Sequence, residues 1–186
     1  MPLTQHVTVH VAHLSLRLRG QRGVQQAISV MDRRVARIVQ RCQDLPGQEL
    51  FQYLNHAGKR ETVTSDDVNA YLREICGRNI TAKDFRTWGG TMLAGCQVRE
   101  RGAASTPAQA RHNIIRASDA VAERLGNTRT VCRKYYVHPA LVHAYLQGLV
   151  PGPSASDSPR RAGRRSPEPA LRRDEVAILQ FLQEVL

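Results

Sequence analysis

Three stretches of the 186-residue chain carry side chains that together could transfer a phosphoryl group without a metal: Lys83-Asp-Phe-Arg86-Thr-Trp88, Leu125-Gly-Asn127-Thr128, and Tyr136, nine residues after Asn127. A tyrosine hydroxyl can attack a backbone phosphodiester and displace a 5′-hydroxyl, leaving a 3′-phosphotyrosyl link that conserves the bond energy. The five-coordinate transition state gathers negative charge on the non-bridging oxygens. Arg86 can clamp these oxygens with two parallel hydrogen bonds, and the Asn127 amide can donate a third. Taken singly, Tyr136 reads as a packed aromatic and Arg86 as a surface charge. Their joint spacing with Asn127 is what argues for a site.

The composition points to the same kind of substrate. The formal net charge is +11, and nearly all the excess is arginine, since the only lysines are Lys59, Lys83 and Lys134. Arginine's planar fork matches phosphate geometry, which makes an acidic polymer the natural partner. Mean hydropathy is −0.40, and no apolar run approaches the roughly 18 residues a membrane span needs. The N-terminus lacks the basic-then-apolar pattern of a secretory signal, so the expected location is the cytoplasm.

Cys42, Cys76, Cys96 and Cys132 are widely spread, form no CxxC pair, and read as reduced, small core residues. His6, His10 and His13 have no carboxylate ordered beside them to complete a ligand set, so no metal or cofactor is expected.

The elements that must position these residues follow from periodicity. Val7, Val9 and Val11 alternate with polar residues, as do Leu14, Leu16 and Leu18. This predicts strands joined through a glycine-bounded turn at Gly20-Gln-Arg-Gly23 to a third strand near Ala27–Val30. From Asp32 the pattern becomes helical, with Val35, Ile38 and Val39 on one face. Ser65 is expected to cap a helix closed by Gly77, and Thr81 to cap the helix carrying Arg86. Residues 102–109 read as a loop. A helix ending at Gly126 follows, and then a short helix, started by Thr128 or Thr130, that runs into Tyr135-Tyr136.

The expected organisation is strands and a hairpin over 1–30, a helical core over 31–150, a disordered basic Pro/Ser/Arg linker over 151–173, and an amphipathic helix over 174–186. The fold class is mainly α (α+β), with a small N-terminal antiparallel sheet.

These motifs, together with Leu45-Pro-Gly-Gln-Glu-Leu-Phe-Gln-Tyr53, Ser65-Asp-Asp-Val-Asn-Ala-Tyr-Leu-Arg73 and Tyr136-Val-His-Pro139, resemble the bacterial and poxvirus-like type IB DNA topoisomerases, in order and spacing, from about residue 6 to 150. The resemblance implies a helical catalytic domain of the DNA breaking–rejoining type. It also implies ATP-independent relaxation of double-stranded DNA by a monomer at the nucleoid. Tyr136 would be the nucleophile, Arg86 and Asn127 the phosphate binders, and Lys83, Arg22, Arg133 and Lys134 DNA contacts.

Two departures from the family pattern stand out. The family's general-acid lysine falls in a Gly-Lys-Ser-Gly-like turn, where this chain has Gln21. Arg22 beside it holds its proton too tightly to serve as an acid. The family's first catalytic arginine, and the N-terminal domain that closes over DNA, are expected upstream of Met1.

Two other readings stay open. One is a non-catalytic DNA-binding fragment of a degenerate topoisomerase. The other is a tyrosine recombinase or integrase, although that class usually reads His-x-x-Arg where this chain has Lys83 three residues before Arg86.

Overall fold

A computed structural model describes residues 3–19, 25–152 and 173–186. Gln21 and Arg22, and most of the expected linker, lie outside the described residues. The architecture is mainly α with a small antiparallel sheet, and the chain divides into two compact units, Met1–Thr81 and Ala82–Leu186.

In the first unit a short 3₁₀ turn at Thr4–His6 leads into β1 (Val7–His10), β2 (His13–Arg19) and β3 (Gln25–Met31), hydrogen-bonded in that order. The period-2 alternation buries Val7 and Leu14 on one face, where they cluster with Val39 of α1 (Arg33–Gln43) and Leu50. Asp32 caps α1 by accepting from the Arg34 and Val35 amides. Those amides hold its carboxyl below the usual carboxylate range. The cap is therefore fully charged above the unfolded carboxylate range and weakens as pH falls through the folded value.

Val11, read from sequence as part of a strand, instead occupies the two-residue turn between His10 and His13. It takes φ 49°, a conformation that β-branched residues rarely adopt. A second small ribbon pairs β4 (Gln52–Leu54) with β5 (Arg60–Thr62).

α2 (Ser65–Cys76) starts one residue earlier than expected. Thr64, not Ser65, is the N-cap, because Thr64 stands three before Asp67 and the two exchange reciprocal capping-box bonds. Gly77 closes the helix in the left-handed conformation, φ 61°. Cys76, expected in a core, is exposed on this helix.

The second unit is helical. It contains α3 (Ala82–Arg101), α4 (Pro107–Leu125), α5 (Arg129–Tyr135), α6 (Pro139–Leu146) and α7 (Arg173–Val185). The expected loop over 102–109 is shorter than the sequence suggested. Thr106 accepts from the Gln109 amide at 3.1 Å, and Pro107 takes the first helical position, where its missing N–H costs nothing. α6 was not anticipated. His138 caps it, its ring Nδ1 accepting from the Ala140 amide at 3.3 Å, and Pro139 again fills the first position.

The core joins Val98 of α3, Ile114 and Val121 of α4, Cys132, Leu141, Tyr145 and Ile178. The buried Tyr145 hydroxyl accepts from Asn113 Nδ2 at 2.7 Å and donates to the Gly102 carbonyl at 2.9 Å, so both buried polar side chains are satisfied. α7 lies so close to α3 that a Cβ on Gly95 would meet Ile178 Cδ1 at 2.5 Å. Arg99 also pairs with Asp174. Ile178 is fully buried, so Ile178→Ala is expected to destabilise this unit by about 2–5 kcal/mol, measured by urea unfolding. Loss of less than about 1 kcal/mol would mean that α7 is not part of the core.

Candidate functional site

The site is built where α3, the end of α4, and the break between α5 and α6 come together within the second unit. α4 ends at Gly126, which takes φ 63° and leaves the last carbonyls of the helix without helical partners. The Leu125 carbonyl is one of these. It accepts from Arg86 Nη2 at 3.0 Å and from Asn127 Nδ2 at 3.2 Å. The negative end of the helix dipole suits the guanidinium. One oxygen therefore anchors both candidate phosphate donors, and the remaining N–H groups of each are left for another acceptor.

Thr128 caps α5 by accepting from the Val131 amide at 3.3 Å. The helix stops at Tyr136, whose own amide still bonds the Cys132 carbonyl at 2.8 Å while its φ of −126° leaves the helical range. Val137 is then buried and His138 starts α6, so Tyr136 stands on a short segment fixed at both ends.

The Arg86 guanidinium carbon is 5.0 Å from the centroid of the Tyr136 ring, within cation–π range. Its neighbour Tyr135 is 48% exposed and has Lys83 Nζ at 5.7 Å and Lys134 Nζ at 5.1 Å from its ring centroid. Three cations thus surround two adjacent tyrosines. Beneath them Cys132 is fully buried. Burial pushes its thiol up from the ordinary value, and the Arg86 charge offsets that only in part.

The structure therefore brings Arg86, Asn127 and Tyr136 together and sets Lys83 and Lys134 beside them. Arg133 is exposed on α5, outside this set of contacts. Sequence reasoning missed the Leu125 carbonyl, and it also missed Thr87, Gly90 and Thr91 on α3. The Thr87-Trp-Gly-Gly-Thr91 run was the available signal, since paired glycines inside a helix need a packing reason. In the first unit, Arg33, Arg37 and Arg41 follow one another a turn apart along α1 and line a shallow groove with Val9 and Val11. Among the described residues no group of three or more His, Cys, Asp or Glu is placed to hold a metal, and no helix is long and apolar enough to cross a membrane.

Tyr136 thus stands beside a guanidinium that shares the Leu125 carbonyl with the Asn127 amide, on a helical unit of a strongly basic chain. Residues 3–149 match the family described as eukaryotic DNA topoisomerase I, catalytic core, and the chain belongs to that family. It is also 26% identical over 140 residues to the DNA topoisomerase 1B of Acanthamoeba polyphaga mimivirus, an alignment covering 72% of this chain. The chain spans 42% of the length of that relative.

Proposed function

We propose that this chain binds duplex DNA and opens one strand by in-line attack of the Tyr136 hydroxyl on a backbone phosphodiester. The new bond is a 3′-phosphotyrosyl ester, and the bond to the 5′-oxygen breaks. Reversal of the same step reseals the strand after the duplex has turned, so supercoils are relaxed without ATP. Arg86 and Asn127 stabilise the charge on the phosphate. Lys83, Arg133 and Lys134 from this unit, with Arg22, bind the flanking backbone. The chain acts as a monomer, at the nucleoid.

The observation that carries the reading is the convergence of Arg86 and Asn127 on one carbonyl, with Arg86 over the Tyr136 ring. Gln21 in place of a proton donor makes cleavage of ordinary DNA slow. Replacing the bridging 5′-oxygen of the substrate by sulfur removes that obstacle. A thiol ionises near 8.5, so the thiolate leaves unprotonated, whereas an alkoxide is about as basic as hydroxide.

The test is to incubate the protein with a duplex carrying a 5′-bridging sulfur and resolve the products on a denaturing gel. A covalent adduct whose DNA-bearing peptide contains Tyr136 is expected. Binding that weakens as salt rises, with no adduct even on this substrate, would favour the non-catalytic DNA-binding reading that Gln21 supports.

A second expectation concerns Arg86. Arg86→Ala should lower the adduct-forming rate at saturating protein by roughly a hundred- to a thousand-fold. Arg86→Lys should fall between, because it keeps the charge and loses the fork. An Arg86→Ala rate equal to that of the unchanged chain would remove Arg86 from the site.

A further inference from the structure

We infer that one face of α3 is a positioning rail for Tyr136: Thr87, Gly90 and Thr91 grip the backbone of residues 135–138 and hold the tyrosine ring against Arg86 of the same helix. This rests on Tyr136 being the nucleophile, as proposed above.

Positions 87, 91, 94 and 98 share a face of α3 at the helical period. Toward the C-terminus this face is Ala94 and Val98, buried in the core. Toward the N-terminus the same stripe becomes Thr91 and Thr87, with Gly90 beside them. An apolar residue is the default for a site only 2% exposed, yet position 91 is threonine. The structure supplies the reason: Thr91 Oγ1 accepts from the His138 amide at 3.0 Å. That N–H belongs to the N-cap residue of α6, and without Thr91 it would be left without this acceptor in a half-buried position.

Gly90 makes the second contact. A Cβ there would lie 2.3 Å from the Tyr136 carbonyl oxygen and 3.2 Å from the Tyr136 Cβ. The obstacle is backbone, which no rotamer change can clear. Gly89, next along the helix, has nothing within 4 Å of an added Cβ, so the requirement for glycine is confined to the position that faces the tyrosine. Thr87 makes the third contact, its hydroxyl lying 3.3 Å from the Tyr135 carbonyl and 3.0 Å from that of Lys83. All three contacts fall on main chain. Arg86 leaves the same turn of helix, so the phosphate clamp and the attacking group are referenced to one rigid element.

Displacing a reacting group by about 1 Å can cost roughly a hundred-fold in rate, and that is the effect to be measured. Two readouts on the full chain decide the matter. The first is the single-turnover adduct rate on the sulfur-bridged duplex, alongside duplex affinity. The second is the ¹⁹F spectrum of protein labelled with fluorotyrosine, in which the Tyr136 line is identified by its loss in Tyr136→Phe.

Thr91→Val and Gly90→Ala are expected to slow adduct formation roughly ten- to a hundred-fold with duplex affinity unchanged, and to shift or broaden the Tyr136 line. Thr91→Ser, which keeps the acceptor, and Gly89→Ala should match the unchanged chain in both readouts. If Gly90→Ala fails to fold, Thr87→Val combined with Thr91→Val takes its place. An unmoved Tyr136 line together with an unchanged rate in the rail variants would overturn the inference. If the unchanged chain forms no adduct, the cleavage reading fails and the ¹⁹F line alone decides whether α3 holds the tyrosine.

Discussion

Tyr136→Phe is expected to abolish the covalent adduct on every substrate, including the sulfur-bridged one, while duplex binding persists. The change removes one oxygen. The ring, its volume and its place 5.0 Å from the Arg86 guanidinium carbon are retained, so the loss cannot be assigned to collapse of the site. With a covalent mechanism there is no partial substitute, because the bond to phosphorus is formed by that oxygen.

Tyr135→Phe is the matched control and should still form the adduct. Tyr135 is the more exposed of the two tyrosines, and its ring lies against Lys83 and Lys134. The two single variants, compared on one denaturing gel, separate the neighbours. Adduct surviving in Tyr136→Phe and lost in Tyr135→Phe would move the nucleophile by one residue and undo the assignment.

The second large effect runs in the opposite direction. Gln21→Lys should accelerate cleavage of an ordinary oxygen-bridged duplex by roughly a hundred- to ten-thousand-fold, the usual value of a positioned general acid. A glutamine amide carries N–H groups but gives up no proton near neutral pH, whereas a lysine ammonium can protonate a leaving alkoxide. The sulfur-bridged duplex is the internal control, because its leaving group needs no proton and its rate should not change. Equal acceleration of both substrates would mean that the new lysine improves DNA binding or phosphate stabilisation rather than supplying the proton.

What could be read from the sequence follows from how local each feature is. Asp32, Thr128 and Gly126 mark their helix ends because a cap is settled within three or four residues. The helix carrying Arg86 and the helix leading into Tyr136 were legible for the same reason. Where two cap candidates stood side by side, as at Thr64 and Ser65, the choice depended on a reciprocal bond from Asp67 that composition alone does not rank. α6 went unseen because its first turn is set by His138 and Pro139 immediately after the tyrosine, and its mostly apolar residues show little amphipathic contrast.

The sequence by itself determined the kinds of groups available: a tyrosine, an arginine and an amide, on a chain of net charge +11. It determined the mainly helical class as well, since helical periodicity is a property of consecutive residues. Only the tertiary structure decided how those groups meet. Arg86 and Asn127 share the Leu125 carbonyl because α4 ends there, and Arg86 reaches it from α3, far away along the chain. Thr91 and Gly90 bear on Tyr136 because helix packing brings main chain against main chain, a contact with no local periodicity to announce it.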